Sequence, residues 1–487
     1  MEKRLSAREK FSYGAGAVGK DMVYALTATY ILYYYQDLLG INPVYMGIIL
    51  LAARVFDAFN DPIMGIIVAK TKTRFGRFRP WLLIGTILNS VFLILLFAVP
   101  SGMSASGLIA YASVFYIMWG TTYTMMDIPY WSMVPAFTNV GKERENVSAM
   151  ARSCAGAGSA LIQIFTMIIV PVVGAFGLDG AKAAMDRFGV TEVTDKMVTT
   201  VTEINGFFWI AVIVAAIFLI TTLLTCINIK EKSSVEMKAA SVKQMFKALF
   251  SNDQAMVVVI TIVLVNTAFY ITSNLVIYFF KYDFGGADWN GSYTLFNMFG
   301  GAIQILSMMI LFPILRRFFN LIRLFKISLI MSVVGYGTLL LIAFTAMNNV
   351  FILFVPGLFI FSANGLLTVM TTVFLANTVD YGEFKNGRRD ESVIFSMQTF
   401  VVKLASGLAA LVASIALAVF NISNDTGAAE TAGTSSVVGL RMVMVIIPVA
   451  GLLIALLIFG KKYILTDEKL KEIIVENMKK QPTPPSE

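Results

Sequence analysis

Apolar residues in this chain come in long runs, with neither the alternation of a strand nor the single stripe of a soluble helix. A bilayer-spanning helix needs about 20 predominantly apolar residues. Twelve such stretches follow one another: 13–39, 43–69, 80–100, 106–133, 150–177, 205–229, 254–281, 291–315, 322–346, 350–378, 392–420 and 437–460. Gly and polar residues interrupt the fifth and the eleventh. Pro171 and Gly174 in the fifth are tolerable where neighbouring helices re-satisfy the backbone. The N-terminus carries Glu2, Lys3, Arg4, Arg8 and Lys10 but no short apolar core with a cleavage site, so no removable signal peptide is expected.

A polar stretch divides these spans six and six. The pattern predicts an all-α membrane protein with an N-terminal six-helix bundle (1–229), a middle loop (230–253), a second six-helix bundle (254–462) and a tail (463–487). The tail's end, 481–487, contains three prolines and reads as disordered. Two bundled halves with a path at their interface are the layout of secondary transporters. With the N-terminus placed inside the cell, 29 of the 38 Lys and Arg fall on the cytoplasmic side. By the positive-inside rule both termini are then cytoplasmic, and the predicted location is the inner (plasma) membrane.

Composition removes most other classes. Charged residues make up 14% of the 487, where soluble domains have about 25%, too few to cover a water-exposed surface. The net charge of +8 is accounted for by the cytoplasmic loops and requires no nucleic acid. There is no His, which excludes imidazole chemistry and leaves an enzyme reading little to rest on. Cys154 and Cys226 lie inside apolar stretches, so neither a disulfide framework nor a zinc cluster is available. No GxxxxGK[ST] loop is present, which argues against an ATP-driven pump.

The informative residues are ionisable groups inside spans. Each costs about 2.5–3.5 kcal/mol at mid-membrane on insertion scales, so such residues line a pathway or pair with one another. In the second span Asp57 and Asp61 stand at i and i+4, on one helical face, with Arg54 and Asn60 nearby. Two buried carboxylates so placed require a proton, a basic partner or a hard cation; a structural pair with Arg54 would neutralise only one. In the fourth span Thr124, Asp127 and Trp131 share a face. Oxygens from the two spans are candidates for one cation site, while Trp131 reads either as an interfacial anchor or as a flat surface for a sugar ring. Lys20 and Asp21, Arg152, Gln398, Thr399 and Lys403 add donors and acceptors of the kind polyols need. Lys403 and Arg152 would also serve simply to neutralise the acids.

Three motifs carry a resemblance: Asp57-Ala-Phe-Asn-Asp61-Pro-Ile-Met-Gly65, Gly76-Arg-Phe-Arg-Pro80-Trp81, and Val379-Asp-Tyr-Gly-Glu383-Phe-Lys with Gly387-Arg-Arg. From about Phe11 to Lys462 the chain resembles the glycoside–pentoside–hexuronide:cation symporters of the major facilitator superfamily. Within that family it is most similar to the melibiose-transporting members. That similarity lies in Tyr13–Asp21, in Thr122-Tyr-Thr-Met-Met-Asp127-Ile-Pro-Tyr-Trp131, and in Ser396-Met-Gln398-Thr399 with Lys403.

The resemblance implies the major facilitator fold and symport of melibiose or a related galactoside with Na⁺, Li⁺ or H⁺, without a further cofactor. It implies a cation site at Asp57, Asn60, Asp61, Thr124 and Asp127. Lys20, Asp21, Tyr123, Asp127, Trp131, Arg152, Gln398, Thr399 and Lys403 would contact or support the sugar. Arg74–Arg79 and Asp380–Glu391 match cytoplasmic gating loops. The expected partners are the sugar and the lipid bilayer, with a monomer as the working unit. Three positions depart from the pattern: Ala69 and Asn377 replace acids, and Thr368 stands where an aromatic packs on sugar, leaving room for a different or larger glycoside. A symporter of another glycoside, pentoside or hexuronide, an uncoupled facilitator or exchanger of the same fold, and a sensor that binds without transport are the competing readings.

Overall fold

Local sequence sets where each helix begins. Ser6 and Glu9 form a reciprocal capping box, with the Ser6 amide donating to Glu9 Oε2 at 2.8 Å and the Glu9 amide donating to Ser6 Oγ at 3.2 Å. Asn42 caps a helix whose first residue is Pro43, a position that needs no backbone donor. Ser104 and Asn252 cap two more. The computed structural model describes residues 5–138, 142–231, 242–285, 289–345, 347, 349–386, 391–422 and 434–480.

Among the described residues there are twelve long helices: α1 (Ala7–Leu32), α2 (Pro43–Lys70), α3 (Arg79–Phe97), α4 (Ala105–Ser132), α5 (Lys142–Ala175), α6 (Asp195–Asn228), α7 (Asp253–Tyr278), α8 (Trp289–Leu306), α9 (Leu321–Thr345), α10 (Val350–Asn386), α11 (Glu391–Val419) and α12 (Thr434–Lys462). Ten of these are long and apolar enough to cross a membrane on length and composition. The other two are α1 and α4, the helices that hold Lys20, Asp21, Tyr123, Thr124, Asp127 and Trp131.

Several boundaries differ from the apolar runs. α1, α5 and α6 begin earlier, and α10 continues to Asn386, because polar residues at helix ends extend the backbone ladder without adding hydropathy. Asp380–Asn386, expected in a loop, therefore form the last turns of α10, and residues 387–390 lie outside the described part. The middle loop contains a helix, Val242–Ser251, and the tail another, Asp467–Lys480; 232–241 and 481–487 lie outside the described residues. A short helix, Gly180–Phe188, joins α5 to α6.

The chain forms two compact units, Met1–Ala239 with Leu417–Thr431, and Ala240–Ala416 with Ala432–Glu487. In the first, α1 packs on α5 and α6, α3 on α4 and α6, and α2 on α4. In the second, α7 packs on α12, α9 on α10 and α12, and α8 on α10. Four of these pairings recur six helices apart. So does a local feature: α1 and α7 both continue into π-helical turns, Tyr33–Leu38 and Phe279–Phe284, holding Asp37 and Asp283 respectively. Internal repeats of this kind are characteristic of secondary transporters. Asp283 is clamped by Arg441 through two hydrogen bonds of 2.8 and 2.6 Å, a bidentate geometry suited to a buried carboxylate.

Candidate substrate and cation site

Lys20 lies at the centre of the first unit's polar interior. A buried ammonium is costly unless paired, and Lys20, 3% exposed, is paired several ways. Its Nζ lies 2.7 Å from Asp127 Oδ1 and 3.5 Å from Asp21 Oδ2, and donates to the Tyr123 hydroxyl at 3.2 Å. It also stands 5.1 Å from the centre of the Trp131 ring. Arg152 lies 5.1 Å from that same ring, so two cations flank one indole, an arrangement its π-face favours. Lys20, Asp21, Tyr123, Asp127, Trp131 and Arg152 are thus brought together on α1, α4 and α5. Asp21, Asp127 and Trp131 are half-buried, Tyr123 is buried and Arg152 is exposed.

A second polar group joins α2 to α4. Arg54, 7% exposed, donates to Asp57 Oδ2 at 3.2 Å and lies 5.6 Å from the Tyr24 ring. One turn on, Thr124 Oγ1 donates to Asp61 Oδ1 at 2.9 Å. Asn60 is half-buried, and its Nδ2 meets no hydrogen-bond partner among the described residues. Gly120 makes the close approach possible: a Cβ there would sit 3.1 Å from Asp57 Oδ1. Tyr24, Trp119 and Tyr123 pack together beside the two groups, with ring centres 5.5–6.4 Å apart.

The sequence reading gathers Asp57, Asp61 and Asp127 into one cluster, whereas here each has a different neighbour. Among the described residues no set of three or more acidic, His or Cys side chains is close enough to hold a metal ion. Arg54 stands three residues before Asp57 on the same helix, and Lys20 reaches across from α1 to Asp127. Arg54 and Lys20 are the bases paired with Asp57 and Asp127 here. Lys403 is half-buried on α11 in the second unit. Gln398 and Thr399 belong to α11, and their side chains lie outside the described part of the structure.

The Arg74–Arg79 turn has an anchor that sequence reasoning missed. Glu231, just beyond α6, accepts from the amides of Arg77 (2.7 Å), Phe78 (3.0 Å) and Arg79 (3.2 Å), at the start of α3. Gly76 adopts φ +106°, and a Cβ there would collide with the Glu231 carboxylate. The Gly76 motif is therefore partly a seat for an acid more than 150 residues away, which local pattern could not reveal.

Residues 12–466 match the MFS/sugar transport protein family. The chain belongs to that family. Its relatives identify the branch as the glycoside–pentoside–hexuronide:cation symporters. The lactose permease of Lactobacillus delbrueckii subsp. bulgaricus is 28% identical over 97% of this chain and 72% of its own length. The raffinose carrier protein of Pediococcus pentosaceus is 27% identical over 95% of this chain and 70% of its own. The putative glycoside/cation symporter YagG of Escherichia coli K12 is 26% identical over 96% and 94%. Among solved structures, a bacterial homologue of the lysosomal transporter Spinster in an inward-facing conformation superposes with a TM-score of 0.65 at 13% identity, covering 98% of each chain. The D-xylose–proton symporter superposes with a TM-score of 0.60 at 12% identity, covering 94% of this chain and 98% of the other. These likenesses show the fold. The transporter is a multi-pass membrane protein and not an enzyme.

Proposed function

We propose that the transporter carries a glycoside, melibiose or a related galactoside, together with Na⁺, for which Li⁺ or H⁺ can substitute. The supporting observation is that α4 touches both polar groups at once. Asp127 and Tyr123 face Lys20, while Thr124, between them in sequence, bonds Asp61. A change at one group is therefore felt at the other through a single rigid helix.

The chemistry follows from the pairings. A cation at Asp57, Asn60, Asp61, Thr124 and Asp127 competes with Arg54 for Asp57 and with Lys20 for Asp127. Displaced from the acids, Lys20 donates to sugar hydroxyls, Asp21 and Asp127 accept from them, and Trp131 covers the C–H face. Gln398, Thr399 and Lys403 complete the sugar set in this reading. Each ligand then favours the other, a reciprocal coupling of about 1–3 kcal/mol. Alternating access moves both across the inner membrane, with both termini cytoplasmic, Arg74–Arg79 and the end of α10 in the gate, and the monomer as the working unit.

The Arg54–Asp57 and Lys20–Asp127 pairs favour one alternative, an uncoupled facilitator whose acids are permanently neutralised by fixed bases. Uptake into membrane vesicles separates the two. Symport predicts that galactoside accumulation follows an imposed Na⁺, Li⁺ or proton gradient; equilibration that ignores all three gradients leaves only the facilitator.

A further inference from the structure

The acids and bases of the site stand on α1, α2, α4 and α5, yet the orientation of α4 is fixed from behind by α3. Asn89 is 0% exposed in the middle of that helix, where Thr86 and Ser90 are also buried. Its Nδ2 donates to the Trp119 carbonyl at 2.8 Å and to Thr122 Oγ1 at 3.0 Å. Its Oδ1 finds no partner among the described residues, so the amide's hydrogen bonding is directed wholly at α4. Such bonds between membrane helices return little, and an unpartnered buried oxygen costs more than one returns. Simple adhesion between α3 and α4 would be better served by a leucine.

The location of the bonds is the informative part. The turn that Asn89 grips, Trp119–Thr122, contains Gly120, against which Asp57 packs, and runs directly into Tyr123 and Thr124. One turn earlier on α3, Gly85 lies on the α4 backbone: a Cβ there would meet Met126 N at 2.9 Å and Met125 C at 3.0 Å. Residues four apart share a helix face. Gly85 and Asn89 therefore hold α4 on both sides of the Tyr123–Thr124 pair.

We propose that Asn89 is a positioning residue for cation coupling. Its amide fixes the rotation of α4 about its own axis, and so sets Thr124 against Asp61 and Gly120 against Asp57. The inference rests on the symport reading above and adds to it a residue that touches neither ligand.

The test measures binding of p-nitrophenyl α-galactoside to the purified full chain across a range of NaCl, with choline chloride holding ionic strength. In Asn89→Leu and in the near-isosteric Thr122→Val, the Na⁺ concentration for half-maximal stimulation is expected to rise about tenfold, while galactoside affinity at saturating Na⁺ stays within about threefold. Thr122→Ser keeps the acceptor and is expected to remain close to the unsubstituted chain. Asn89→Leu combined with Thr122→Val should shift no further than Asn89→Leu alone. Should Asn89→Leu fail to fold, Thr122→Val against Thr122→Ser carries the test. An unchanged Na⁺ requirement, or parallel losses of Na⁺ and galactoside affinity, overturns the proposal and leaves symport standing. Galactoside binding by the unsubstituted chain that ignores Na⁺, Li⁺ and pH overturns both.

Discussion

Tyr13 and Tyr130 each donate their phenolic hydroxyl to the other's backbone carbonyl, Tyr13 to Tyr130 at 2.7 Å and Tyr130 to Tyr13 in return. Their rings stack in parallel with centres 4.5 Å apart. This reciprocal clasp ties α1 to α4 three residues beyond Asp127 and seven before Lys20. It holds those helices in register where the Lys20–Asp127 pair must span the gap.

The clasp predicts strong non-additivity. Tyr13→Phe or Tyr130→Phe alone removes one hydrogen bond, a net cost of about 0.5–1.5 kcal/mol. The double variant should cost clearly less than the sum of the two, because the stacked rings persist and the residues form one network. Thermal unfolding midpoints of the four proteins in detergent supply the cycle; strict additivity would show the two bonds to be independent.

Much of this organisation was legible in sequence because a membrane penalises charge. Lys20, Asp21, Asp57, Asp61, Asp127 and Arg152 each stand out in an apolar run, and helical spacing alone placed Asp57 with Asp61 and Thr124 with Asp127. Arg54 as the partner of one α2 acid was legible, but the base that neutralises Asp127 was not. Lys20 and Asp127 are more than 100 residues apart, and only the packing of the first unit brings them to 2.7 Å. Asn89 was overlooked for a related reason, since a neutral amide in an apolar run attracts less notice than a charge. The helical end of α10 was missed because hydropathy falls at Asp380 while the backbone hydrogen bonds continue.

Lys20→Met should make the protein's stability depend on Na⁺. Removing one partner of a buried ion pair costs about 3–5 kcal/mol, and Asp127, 27% exposed at its side chain, places this pair toward the lower end. Na⁺ is then the available counter-charge for Asp127 and Asp21. The unfolding midpoint should fall, and titration with NaCl should recover more of it in the variant than in the unsubstituted chain. Equal stabilisation of both proteins by Na⁺, with choline chloride as control, would mean that no cation substitutes for the lysine ammonium.

The two polar groups should separate by mutation. Asp61→Cys removes the acceptor of the Thr124 bond on the α2 side and is expected to abolish Na⁺ stimulation while sparing part of the sugar binding. Asp21→Ala leaves α2 untouched and is expected to remove sugar affinity while Na⁺ still binds. Equilibrium binding of p-nitrophenyl α-galactoside and of ²²Na⁺ to each variant reads both properties. Retained Na⁺ dependence in Asp61→Cys would move the cation site elsewhere, and retained galactoside affinity in Asp21→Ala would remove α1 from the sugar set.

Glu231 should control access to the turn before α3. Its carboxylate takes three amide hydrogens at a helix N-terminus, where the helix dipole also favours negative charge. Glu231→Ala leaves those donors without their acceptor, and the Gly76 turn loses the group it is shaped around. The loss is expected to be about 1–3 kcal/mol, reduced by water reaching a half-buried site. Glu231→Gln keeps an acceptor but not the charge and should fall between the two. Trypsin reports on this locally, because Arg74 and Arg77 lie in the turn while Pro80 protects the bond after Arg79. Cleavage at Arg74 and Arg77 should accelerate about tenfold in Glu231→Ala, following the population of the opened turn. An unchanged cleavage rate would mean that the turn is held by its own Thr73–Gly76 contacts, in which the Thr73 hydroxyl donates to the Gly76 carbonyl at 2.6 Å, and that Glu231 merely rests against it.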